Sequence, residues 1–124
     1  MTALFVFDRD DWCSVFPTVA DAENDLEVAD VEVGEYVVFD QDGTVFEARV
    51  DEMRVRLRAT GERDAAQLAA RLDRFTREQG IEPAGDDVID VGNAILAAAW
   101  EERWPKRPRW LARRIHGDER PHLG

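Results

Sequence analysis

The sequence predicts an α+β fold. It would be a single domain in which an antiparallel β-meander of about three to four strands is packed on one face by two longer helices and one short helix. Three observations carry this expectation. The chain has 124 residues, enough for one hydrophobic core. Apolar residues alternate with period two from Gly34 to Thr60, and from Asp64 onward they recur at helical spacing.

Taken in order, Ala3 to Phe7 is an apolar run stopped by Asp8-Arg9-Asp10-Asp11, which predicts a buried first strand entering a polar loop, with Trp12 and Phe16 lidding the core from that loop. Thr18 with Asp21 three residues later opens a short helix, whose Val19, Ala22, Leu26 and Ala29 share one face and which ends near Asp30. The alternation then gives three strands: Tyr36 to Phe39, Phe46 to Asp51 and Met53 to Thr60, the last two with one wet face. Asp64 and Gln67 form a capping-box-like start for a helix that stops at Gly80, with Leu68, Leu72 and Phe75 on its apolar face. A second long helix runs from about Asp87 to about Trp104 and is stopped by Pro105.

The domain is expected over residues 1–104, followed by a basic C-terminal tail over 105–124. From Arg103 to Gly124 seven basic residues face two acidic ones, against nine basic and 25 acidic residues before that point. Such opposite charge predicts a tail docked on the domain. The formal charge of -11 argues against binding nucleic acid or an anionic membrane, and favours a basic protein partner. Cys13, the single cysteine, allows no internal disulfide. The N-terminus lacks a basic n-region, so a cytoplasmic location is expected.

One string, Val37 to Val45 (VVFDQDGTV), resembles the opening signature of the haloacid-dehalogenase-like phosphatases. That resemblance implies Asp40 as nucleophile, Asp42 as general acid and base, Thr60 as phosphate anchor, and Asp86 or Asp90 as magnesium ligand. Two features oppose it. The cation that such chemistry needs beside its carboxylates is missing in order, because the only lysine is Lys106. The spacing after Thr44 also leaves no room for the crossover helices of a parallel sheet. Asp40-Gln41-Asp42-Gly43 therefore reads as a hairpin turn, and no cofactor or metal is expected.

Two charged sets are candidate binding surfaces. Glu23, Asp25, Glu27, Asp30 and Glu32, with Asp86 and Asp87, make acidic runs able to cover a basic cleft on a protein partner. Arg49, Arg54, Arg56 and Arg58 fall on the wet face of neighbouring strands, where they are either an anion or partner face or a solvated row paired with Glu35, Glu47 and Asp51. Trp104 and Trp110 with their basic neighbours have the composition of a stacking surface, and His116 and His122 lie far from any nucleophile.

The order Ala22-Glu23, Leu26-Glu27, Asp30-Val31, Gly34-Glu35-Tyr36, then Asp40 and Gly43 before a strand, resembles small acidic bacterial proteins, some of them from toxin-immunity loci. The expectation is thus a non-enzymatic cytoplasmic binding protein, an immunity protein that masks a toxin's active site through an acidic surface. The alternative is a small-molecule-binding or regulatory α+β domain. The third is the magnesium-dependent phosphatase using Asp40 and Asp42.

Overall fold

The computed structural model describes residues 2–103 and 122–123. The elements are β1 (Leu4–Phe7), β2 (Cys13–Phe16), α1 (Val19–Asp25), α2 (Val28–Glu32), β3 (Val37–Asp40), β4 (Thr44–Asp51), β5 (Arg54–Arg63), α3 (Ala65–Gln79) and α4 (Val88–Arg103). The strands form one sheet in the order β2-β1-β3-β4-β5, and every pairing is antiparallel. The α+β class and the single antiparallel sheet are as the sequence predicts.

Helices cover both faces of the sheet, not one. Phe5, Phe7 and Phe39 pack with Leu68, Leu72 and Phe75 of α3 and with Ile95 and Leu96 of α4. On the opposite face Leu4, Val6 and Val38 meet Ala22 and Leu26 around α1 and Val31 of α2. The cause is legible in β1: all four of its residues are buried, so a strand with two apolar faces needs two covers. Each buried Phe contributes about 2–3 kcal/mol through its area removed from water.

The sheet has five strands because the Cys13–Phe16 segment, expected as loop, pairs along the whole of β1. The acidic run before it is a turn. Asp8 Oδ1 accepts from the N–H groups of Asp10 (2.9 Å) and Trp12 (3.0 Å), and Asp11 sits at φ 61°. Aspartate tolerates that geometry and bonds its own backbone, which reverses the chain. β1 also pairs with β3, so it joins the meander at the β3 side.

The expected short helix is two. Thr18 caps α1, its Oγ1 accepting from the Asp21 N–H at 3.1 Å, as the capping pattern predicts. Leu26 then turns extended at ψ 137°, which lets Ala22, Leu26 and Val31 all reach the same core. α3 keeps its expected limits: Asp64 Oδ1 accepts from the Gln67 N–H (3.0 Å), and Gly80 closes it in the left-handed conformation at φ 66°.

α4 makes a close approach at Gly92, where an added Cβ would lie 2.5 Å from Leu123 Cδ1 and 3.2 Å from the Phe5 ring. Leu123 is 1% exposed, and Asn93 holds it on both sides, donating to its carbonyl (3.1 Å) and accepting from its N–H (2.6 Å). Trp104, the expected end of the second long helix, and the remainder of the expected tail, including Trp110 and His116, lie outside the described residues. No helix among the described residues is long and apolar enough to cross a membrane.

Candidate functional site

From Asp10 to Ala48 the chain contains no Lys or Arg. α1 and α2, with Glu27 between them, form a layer that carries Asp21, Glu23, Asp25, Glu27, Asp30 and Glu32. Asp21, Asp25, Glu27 and Glu32 are exposed, while Glu23, Asp30 and the following Glu35 are half-buried. Asp25 and Glu32 end their helices, and neither helix has a basic residue in its last turn. The dipole makes those ends negative, so both carboxylates stand where helix stability favours Lys or Arg. Val33, beside Glu32, is 65% exposed.

Two of the expected partner-binding residues have internal partners. Glu23 Oε2 accepts from the Leu57 N–H (2.9 Å) on the outer edge of β5, and its Oε1 lies 4.0 Å from Arg56 Nη1. It closes part of that edge against pairing with another chain. Asp30 accepts from the Tyr36 hydroxyl (3.1 Å). Burial and this bond push the Tyr36 phenol up to about 12, and desolvation together with the Asp30 carboxylate raises Glu35 above the ordinary carboxylate range.

Asp86 and Asp87 do not join this layer. They precede α4, which packs on the opposite face of the sheet. Asp87 starts the helix, its Oδ1 accepting from the Ile89 N–H (2.7 Å) and its carbonyl from the Val91 N–H (3.0 Å).

The arginine row is where alternation puts it, exposed on one face of β4 and β5. Register places Glu47 opposite Arg58, Asp51 opposite Arg54, and Arg49 opposite Arg56. Arg49 Nε bonds Glu47 Oε1 at 2.8 Å. Carboxylates interleaved with the arginines give a mixed-sign, solvated face.

In the VVFDQDGTV string, β3 and β4 are an antiparallel hairpin. Asp40 Oδ1 accepts from the N–H groups of Asp42 (2.8 Å) and Thr44 (3.0 Å). Gly43 has φ 83°, and a Cβ there would lie 2.5 Å from Ala65 Cα; its carbonyl accepts from the Asp64 N–H (2.9 Å). The turn is therefore docked on the start of α3, which is why glycine is required. Thr60 Oγ1 donates to the Val45 carbonyl (2.9 Å) and ties β5 to β4. Among the described residues no three His, Cys, Asp or Glu side chains group as a metal site. Cys13 is buried, which pushes its thiol far above the ordinary value.

A groove of about 800 Å3 runs along β2, the edge strand next to β1. α1 borders it with Asp21 and Asp25, α4 with Leu96, Ala98 and Ala99, and the end of α3 with Phe75. Trp12 stacks edge-on against Phe75, ring centroids 5.2 Å apart. Reading Cys13–Phe16 as a loop hides this groove from the sequence, because its wall exists only once β2 pairs with β1. Compared with protein-family models, curated proteins and solved structures, the chain matches none.

Proposed function

We propose that this protein is a non-enzymatic binding protein of the immunity type, which neutralises a basic toxin by laying the α1–α2 layer over its active site. The observation that carries the reading is the placement of Asp25 and Glu32 at the negative ends of helices, in a stretch without any basic residue. Folding alone disfavours that arrangement, whereas a cationic partner reverses the sign of the cost. Glu27, Glu32 and the exposed Val33 supply charge around an apolar contact, the usual plan of a protein interface. Asp86 and Asp87 fall outside this interface.

Co-expression with the product of an adjacent gene tests it. The protein is expected to restore growth to cells that this product kills. Glu27→Lys with Glu32→Lys should weaken the complex at least tenfold and flatten its salt dependence, while the fold is retained. No rescue, or rescue indifferent to the double reversal, would sink the reading.

A further inference from the structure

The groove along β2 has a covered floor. Cys13 is 2% and Val15 7% exposed, so the edge strand lends the groove a surface and no free main chain. α1 stands on one side of the sheet and α3 and α4 on the other, which leaves a concavity between them at the sheet's edge. Its volume of about 800 Å3 is that of a site which encloses one small organic molecule.

Its two walls differ in chemistry. Trp12 stands edge-on to Phe75 and is 43% exposed, and Ile81 and Leu96 continue this apolar surface. The small side chains of Ala98 and Ala99 leave width along α4. The charged side chains described along the groove are Asp21 and Asp25, four residues apart and so on one face of α1. Neither has an ion-pair partner among the described residues. Asp25 also ends α1, where the helix dipole adds to its negative charge. These carboxylates repel an anion and gain nothing from an uncharged apolar molecule, whereas a cation with an apolar body answers both walls.

We infer that the groove is a binding site for a small organic cation, an alkylammonium on an aromatic or aliphatic body, with the body against Trp12, Phe75 and Leu96 and the cationic group beside Asp21 and Asp25. Apolar contact supplies most of the affinity, and the carboxylates supply the choice of charge. The site is distinct from the surface assigned to the toxin. Glu27 and Glu32 do not line the groove, so its test and the toxin-rescue test can fail separately.

The probe is naphthylhexylamine, titrated into the isotope-labelled full chain and followed by NMR at the Trp12 indole N–H and the Ala98 and Ala99 methyl groups. Saturable shifts at these positions are expected. The alcohol of the same skeleton keeps the body without the charge and should bind about fivefold more weakly, the difference between a charge-assisted and a neutral hydrogen bond. Asp21→Asn with Asp25→Asn, both at exposed positions, should remove that preference, so that amine and alcohol bind alike. Ala99→Trp, at another exposed position, fills the groove and should abolish the binding of both while the amide spectrum stays that of a folded chain. Equal binding of amine and alcohol to the parent, a preference that survives the double substitution, or binding indifferent to Ala99→Trp overturns the site. The absence of saturable shifts overturns it as well. Contacts of the groove methyls with residues 104–121 in the free monomer would then assign the groove to this chain's own segment, and shifts that follow chain concentration, together with a dimer, would assign it to a second copy.

Discussion

Asp40 shows how one residue type can carry two opposite readings. As a nucleophile it would attack through one carboxylate oxygen; as a turn former it uses Oδ1 to accept from the N–H groups of Asp42 and Thr44. An amide oxygen can accept those bonds equally well, so Asp40→Asn should leave stability within about 0.5 kcal/mol of the parent. Asp40→Ala leaves the turn donors without that acceptor and should cost about 1–2 kcal/mol, read as a lower urea midpoint at constant m. A protein in which both substitutions were equally damaging would refute the structural role. Tyr36 offers a second test, because it is the only tyrosine and its ionisation is seen directly by ultraviolet absorbance. The titration midpoint should fall at about 12. Asp30→Asn should bring it down toward the ordinary phenol value of about 10, by removing a carboxylate that accepts the hydroxyl proton. The sign for stability follows. A phenol held protonated by folding supports the native state fully below the unfolded value, and that support is lost as pH rises from about 10 to about 12. Tyr36→Phe removes this alkaline slope.

At the scale of elements, legibility in the sequence follows how local the cause is. α3 was readable because its Asp64 cap, its apolar face and its Gly80 stop are all within one segment. β4 and β5 were readable because one face of each is wet and the alternation is visible. β2 was not, since four residues become a strand only through pairing with β1 across a turn made of aspartates. The second helix layer was hidden in the same way: Leu26 and Val31 reveal their common face only after the chain bends between α1 and α2. Of the candidate site, the carboxylates of α1 and α2 were legible as composition, but their separation from Asp86 and Asp87 by the sheet is a tertiary fact. The β4–β5 turn makes an element-scale prediction. Glu52 (φ 49°) and Met53 (φ 66°) both occupy left-handed conformations in a two-residue hairpin loop, the geometry that favours Asn-Gly. Met53 is 78% exposed, so nothing in the folded state packs on its side chain enough to oppose a change. Glu52→Asn with Met53→Gly should raise stability by about 1 kcal/mol. An unchanged or lower urea midpoint would show that the turn is held by contacts other than its backbone preference.

At the scale of the whole molecule, one sheet separates two chemically different layers. The α1–α2 layer is acidic and thin, built from helices of seven and five residues, whereas α3 and α4 have 15 and 16. Short helices are marginal alone, so the acidic layer depends on Ala22, Leu26 and Val31 being held against the sheet. That dependence places much of the fold's security on the other core, where Phe5, Phe7 and Phe39 meet α3 and α4. Leu123 completes this core: its side chain is buried against the Phe5 side of α4 at Gly92, and its backbone is clasped by Asn93. Leu123→Ala removes buried methyl groups from a site whose walls are a helix and a sheet, neither of which can collapse freely. The expected cost is about 2–4 kcal/mol, seen as a lower urea midpoint. Asn93→Ala tests the other half of the clasp by leaving the Leu123 N–H and carbonyl without their partners, at about 1–3 kcal/mol. Since both substitutions break the same contact, their effects should be less than additive in the double variant. Full additivity would mean that Leu123 packs independently of Asn93 and that the end of the chain is held by its side chain alone.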